Sequence, residues 1–162
     1  MSYRSASFGD FKCAHCHVIV SCAHVLSGVD NRNHCPYCLW SRHLDLYVAG
    51  DRLCACKAPM KPIGLTMKKG RNKYQREALG ELMLIHECVE CRSLSINRIA
   101  ADDDAETVIS VFDGSLIRSY ELHTICMQYG IVALNMEDRE IAYTQLYGRD
   151  GEIPVLERVL PY

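Results

Sequence analysis

Apolar and polar positions change rhythm along this chain, and each change predicts a different kind of element. From residue 11 to about 52 neither a two-residue nor a 3.6-residue period persists, and only His17-Val18-Ile19-Val20 is a short β-branched run suited to a strand. Ser27-Gly28-Val29-Asp30-Asn31 then turns the chain back. Three stretches beyond this read as strands: Met60–Met67, Glu81–His86 and Ser93–Arg98, each with alternation or a short apolar run. After residue 104 the period becomes helical. Asp102-Asp103-Asp104 caps a helix over 105–112 and complements its dipole, and Gly114-Ser115 breaks it. A triplet of carboxylates could also bind a hard cation, but ahead of an apolar run it reads as a helix start. A second helix is expected from Leu116 to Tyr129, with Leu116, Tyr120, Ile125 and Tyr129 turned partly to a core. The third begins at the cap Asn135, has Glu137 and Asp138 in its first turn, carries Ile141, Ala142, Leu146 and Tyr147 as its stripe, and stops at Gly148.

A first half so poor in periodicity needs another source of order, and cysteine supplies it. Cys13-Ala14-His15-Cys16 and Cys35-Pro36-Tyr37-Cys38 are two C-x2-C pairs with eighteen residues between them. In each such knuckle two sulfurs reach one tetrahedral ion while backbone N–H groups offset their charge, so the spacing predicts a four-thiolate zinc site. Cys22 and His24 lie between the pairs as stand-in ligands, with a small buried hydrophobe and a surface residue as their plainer reading. A second site is assembled from Cys54-Ala55-Cys56 and Cys88-Val89-Glu90-Cys91. Its ligands are either Cys54, Cys56, Cys88 and Cys91, or Cys56, His86, Cys88 and Cys91. The expected fold is therefore α+β: two small zinc-ribbon-like β units followed by a short helical C-terminal segment. A three-stranded ribbon buries little apolar surface, so it is expected to lean on its ion, which contributes on the order of 10–16 kcal/mol in comparable peptides.

Arg32-Asn33-His34-Cys35-Pro36 spells the signature of the RNHCP domain family, which this chain resembles from residue 11 to about 104. Phe11-x-Cys13-x2-Cys16, Cys38-Leu39-x-Ser41-x-His43-x-Asp45, Gly50-Asp51-Arg52 and Cys56-x3-Met60-x-Pro62-Ile63 fit the resemblance. So do His86-x-Cys88-x2-Cys91, Asn97-Arg98 and Asp102-Asp103. The family's members are small bacterial proteins without an assigned activity. The resemblance makes Cys56 the family's cysteine and Cys54 an extra of this chain, and we carry the set with His86 forward. Where the family has glycine, His17, Lys57 and Arg92 stand here. A left-handed backbone at such positions costs a larger residue roughly 1 kcal/mol, unless the turn is built differently. Residues 1–10 form a lead-in, 11–104 the RNHCP-like double-ribbon domain and 105–162 a helical extension.

Composition changes the picture in two places. With 49% hydrophobic and 23% charged residues the chain is of ordinary globular make-up. No run approaches about eighteen apolar residues and the N-terminus lacks a signal-peptide layout, so a cytoplasmic protein is expected. In a reducing compartment the paired cysteines favour metal over disulfides. The net charge of -2 hides 14 Lys+Arg against 8 Asp+Glu in residues 1–100 and 4 against 12 in residues 101–162. Thiolate-bound zinc removes much of the first excess, so only a local patch argues for nucleic acid. Such a patch exists: residues 57–76 hold seven basic residues and no acidic one, with Tyr74 interleaved. Lys68, Lys69, Arg71, Lys73, Tyr74 and Arg76 are the expected nucleic-acid contacts, through counterion release and base stacking. RNA is preferred over duplex DNA because no recognition helix is evident.

The leading expectation is a zinc-stabilised module that binds RNA or a ribonucleoprotein, with the acidic tail docking a protein or shielding the basic face. A metal-dependent hydrolase or nuclease would have to draw on His34, His43, Asp45 and Asp51, with Asn97, Arg98 and the Asp102 cluster in support. With no nucleophile adjacent, His34, His43 and Asp45 read first as support for the first metal loop. A protein–protein adaptor is the third class. Trp40, the single tryptophan, either covers the first knuckle or lies open as a platform, and His123 with Cys126 offers one more candidate ligand pair on a helix face.

Overall fold

A computed structural model describes residues 9–48, 50–68 and 80–148. The two-stranded hairpin β1 (Phe11–Lys12) and β2 (Ile19–Val20) carries the first knuckle in its turn, and a single helical turn, α1 (His24–Ser27), follows. Its core is small: Cys13, Val20 and Cys35, flanked by Phe11, Val18 and Cys38. The second knuckle leads into β3 (Ser41–Arg42), the edge of an antiparallel sheet completed by β4 (Pro59–Lys68), β5 (Glu81–Cys88) and β6 (Leu94–Arg98). The three strands read from the sequence are all present, and β3 is an addition that two residues could not announce.

The run Leu82-Met83-Leu84-Ile85 does not alternate because β5 is covered on both faces. Leu82 and Leu84 pack with Leu65, Val108, Phe112, Leu134 and Ala142, whereas Ile85 packs with Leu122, Cys126 and Ala133. Apart from Leu65 of β4, these partners come from α2 (Ala105–Leu116), α3 (Ser119–Gln128), α4 (Arg139–Tyr147) and the segment before α4. The sheet is therefore a ribbon with a helical jacket, and its apolar core does not rest on an ion alone. One close approach depends on glycine: β4 shifts register between Pro62 and Gly64, and a Cβ on Gly64 would meet Leu122 Cδ2 at 2.8 Å.

The helical starts follow their local chemistry, whereas Gly114-Ser115, expected to break the first helix, lies inside α2, which runs on to Leu116. Asp104 accepts from the Thr107 N–H and opens α2, as the acidic triplet suggests. Asn135 accepts from the Glu137 N–H and Asp138 reaches back to Asn135, a capping box that starts a 3-10 turn, Met136–Asp138, running into α4. Beyond Leu116 the second helix starts three residues later than expected, after a break at Ile117 and Arg118. No helix among the described residues is long and apolar enough to cross a membrane.

Candidate metal centres and the signature scaffold

Two groups of four potential ligands stand out among the described residues: Cys13, Cys16, Cys35 and Cys38, and His43, Cys56, Cys88 and Cys91. Within each group the donor atoms lie within 4.8 Å of one another. Cys13 and Cys38 sulfurs are 3.6 Å apart, as are Cys16 and Cys35, and Cys56 and Cys88. Sulfurs bound tetrahedrally to zinc at about 2.3 Å sit about 3.8 Å apart, so the spacing is that of a shared ion. The two centres could hold two zinc ions, one on four thiolates and one on three thiolates and an imidazole.

Charge supports the assignment. Burial raises the thiols of Cys35 and Cys38, while the Val18 N–H lowers Cys16. Four sulfurs in one such place become thiolates together only around a cation. At the second centre the Ser93 hydroxyl draws Cys91 down to about 6; desolvation opposes it and the Ser93 backbone N–H adds a smaller pull in the same direction.

All four half-sites obey one backbone rule. In the first knuckle the Cys13 N–H donates to the Val18 carbonyl and the His17 N–H to the Cys13 carbonyl. The same pair of bonds joins Cys35 with Trp40 and Leu39, and Cys88 with Ser93 and Arg92. His43 repeats it across a longer distance: its N–H donates to the Ala58 carbonyl, and the Lys57 N–H donates to the His43 carbonyl. His43 and Cys56 are thus the two ligands of a knuckle split by residues 44–55. The residue after each closing cysteine is left-handed, with φ of 63° at His17, 59° at Leu39, 55° at Lys57 and 63° at Arg92. The departures from glycine leave the turn intact and carry the backbone cost instead.

Carboxylates hold the inserted loop. Asp51 accepts from the N–H groups of Leu46, Tyr47, Val48 and Leu53, which keep its carboxyl well below the usual range, the Val48 bond contributing most. Asp45 accepts from Gly50 and Arg52. The loop thereby closes on itself and returns Cys56 to His43. Cys54 is buried beside it and outside the cluster.

The placement of His43 corrects the expectation that His86 completes the second centre. His86 is fully buried: its Nε2 donates to the Leu39 carbonyl at 2.7 Å and its Nδ1 accepts from Asn97 Nδ2 at 2.8 Å. Desolvation, with a smaller push from His34, lowers its pKa to about 3 and keeps it neutral. Both ring nitrogens are engaged, so no lone pair is left for a metal. The Asn97 carbonyl oxygen in turn accepts from Asn33 Nδ2. A chain of hydrogen bonds therefore runs from Asn33 through Asn97 and His86 to the left-handed residue that closes the second knuckle. Nearness to Cys88 in the sequence favours His86, whereas His43 reaches the site through its place just after β3, at the sheet end where β4 begins and β5 finishes, which no local pattern announces.

The remaining signature residues form a buried ion cluster. Arg32 Nη1 donates to both Asp102 carboxylate oxygens at 2.7 Å, Nη2 to Asp103 at 3.2 Å, and Nε to the His34 carbonyl. His34 Nε2 lies 2.7 Å from the other oxygen of Asp103, and the Asp104 N–H donates to the Pro36 carbonyl. Loop, second knuckle and the start of α2 are locked together by these bonds. His34, His43, Asp45 and Asp51, the residues hydrolysis would need, gather in no shared ligand cluster among the described residues: His34 bonds Asp103, His43 joins the second centre, and Asp45 and Asp51 brace the inserted loop. Cys22, His24, His123 and Cys126 join no ligand cluster; Cys126 is core and His123 is exposed. Lys68 ends β4, whereas Lys69, Arg71, Lys73, Tyr74 and Arg76 lie outside the described residues.

Replacement of His43 by Ala is expected to lower zinc content from two ions to one, and His86→Ala to keep both while destabilising the fold. Elemental analysis of the purified variants checks this, and two zincs in His43→Ala with one in His86→Ala would reverse the assignment.

A sequence model of the RNHCP domain matches residues 8–109, well over half of the 162. The match spans every ligand of both centres and the whole Arg32–Asp103 cluster, and ends inside α2. Searches of curated proteins and of solved structures found no match. With its signature pentad joined to two metal knuckle pairs and to the carboxylates that lock them, the chain belongs to the RNHCP domain family.

Proposed function

We propose that this protein is a zinc-stabilised binding module that contacts RNA or a ribonucleoprotein through the basic stretch of residues 57–76. The observation that carries the reading is the register of β4 on β5. It runs from Met60 opposite Cys88 at the metal end to Lys68 opposite Glu81 at the other. The basic connection thus leaves the sheet at the end remote from the second centre, on a base made stiff by ten- and eight-residue strands. Each centre has four protein ligands, so neither needs a water or substrate to complete a tetrahedron, which favours scaffold over catalyst. Phosphates would be gripped by counterion release, with Tyr74 available to stack on a base.

Fluorescence anisotropy with a single-stranded RNA oligomer tests this. Binding is expected to fall steeply between about 50 and 200 mM salt, with a log–log slope of about -0.7 per phosphate neutralised. Changing Lys68, Lys69, Arg71 and Lys73 together to Glu should abolish it while zinc content stays at two. Absent or salt-insensitive binding, unaltered by those changes, would remove the nucleic-acid reading in favour of the adaptor. Ile117 and Tyr120, 87% and 84% exposed on the helical segment, are where an adaptor's partner would be sought.

A further inference from the structure

A cavity of about 360 Å³ opens between the first metal unit and the start of the sheet, within the usual range of small-ligand sites. Its walls combine two kinds of chemistry. Phe11 from β1 and Trp40, just before β3, supply aromatic surface, while Lys12, Arg42 and Arg52 supply cations beside Arg32, which is already paired with Asp102 and Asp103, and among the described residues no Asp or Glu lines it. Trp40 is held in place by His15, whose ring lies parallel to the indole at 4.3 Å with an interplanar angle of 5°. That stack answers the choice between cover and platform: the indole is a braced wall of a cavity. Among the described residues Lys12 and Arg42 are exposed and enter no ion pair. Arg52 is steered by Asp45 at 3.9 Å.

We propose that this cavity binds a single nucleotide, its base against Phe11 and Trp40 and its phosphate against Lys12 and Arg42. A planar ring matches aromatic walls, and a wall with cations and no carboxylate repels cationic ligands and draws anions. The nucleotide is either free or an unpaired unit of an RNA strand. In the second case the proposal rests on the nucleic-acid reading above and deepens it, adding a base-holding site to a phosphate-gripping one.

Trp40 is the only tryptophan in the chain, so the site carries its own reporter. Zinc-loaded full-length protein is titrated with adenosine monophosphate and, separately, with an oligoadenylate, following indole fluorescence. Saturable quenching by both, or by the oligonucleotide alone, supports the site, the latter assigning it to RNA. Lys12→Glu with Arg42→Glu should weaken either ligand by about tenfold or more, with zinc content unchanged. Quenching by the mononucleotide with no anisotropy response to RNA keeps the cavity and discards the basic hairpin. RNA binding by anisotropy with no change at Trp40 overturns the cavity and leaves the hairpin reading standing. Cys22 gives a second readout. It lines the cavity, and it is the one cysteine outside both metal centres that is not buried. Its alkylation should slow in the presence of adenosine monophosphate, and an unaltered rate at saturating ligand counts against the site.

Discussion

Chelation is expected to unfold this protein in two unequal parts. The first metal unit has almost no core of its own, only Cys13, Val20 and Cys35 with three partly buried neighbours. Zinc binding contributes on the order of 10–16 kcal/mol in small metallo-peptides, as much as the whole stability of an ordinary domain. Residues 9–40 should therefore lose their structure once a strong chelator removes the ion or Cys35→Ser breaks the site. The sheet with its helices is a different case, because Leu65, Leu84, Val108, Phe112 and Ala142 form a buried apolar core that contains no metal ligand. Hydrogen exchange followed by mass spectrometry should show β1, β2 and both early knuckles exchanging freely while β5 and α2 keep their protection. Uniform protection after zinc removal would sink the view that the first unit is built on its ion. Uniform loss would show that the jacket is no independent source of stability.

Removing Asp103 is expected to cost about 3 kcal/mol, at the lower end for a broken buried ion pair because Asp102 remains beside the guanidinium. Arg32 and Asp103 side chains are both fully buried, and Asp103 also takes bonds from His34 and from the Ala100 N–H. Asp103→Ala leaves a guanidinium and a histidine in the interior with one partner between them. Asp103→Asn should be milder, since an amide oxygen still accepts one of these bonds. Denaturant unfolding in zinc-saturated buffer measures both, and a loss below about 1 kcal/mol would mean that the cluster behaves as a surface pair. An Arg32→Met, Asp103→Leu double substitution should recover much of the loss, because the only carboxylate it leaves without its ion-pair partner is Asp102, which is one-third exposed and reached by water.

These two results bear on what the signature residues are for. Arg32, Asn33 and His34 sit in a loop and are charged or polar, which invites a catalytic reading. In the structure they face inward. Arg32 spans from the metal loop to the carboxylates before α2, Asn33 leads through Asn97 to His86, and His34 closes on Asp103. The pentad is a joint: it couples the ion-built unit to the core-built one, and its cysteine, Cys35, is itself a candidate ligand. An exposed functional surface has to be sought elsewhere, on the basic connection after β4 and in the cavity beside Trp40.

How legible this was differs by kind of signal. Local signals were read directly, because each depends on neighbours a few residues away. The first knuckle pair, the helix opened by Asp104 and the capping box at Asn135 are of this type. The strands of the sheet also announced themselves, though Leu82-Met83-Leu84-Ile85 could not say which faces were covered, since a continuous apolar run reports burial and not what does the burying. The second metal centre was half legible. Cys56, Cys88 and Cys91 follow from spacing, but the fourth ligand lies across a loop of residues 44–55 whose length hides the knuckle from any short pattern.

What the chain determined by itself was its inventory: thiolates at knuckle spacing, caps before helices, a positive stretch without acids, and left-handed positions filled by His17, Lys57 and Arg92 at a local energetic cost. Only the tertiary structure put His43 in the place for which the sequence offers Cys54 or His86. Ligation depends on where a lone pair points, and the sheet register carries His43 to the end where Cys56 and Cys88 meet while it buries His86 against the Leu39 carbonyl.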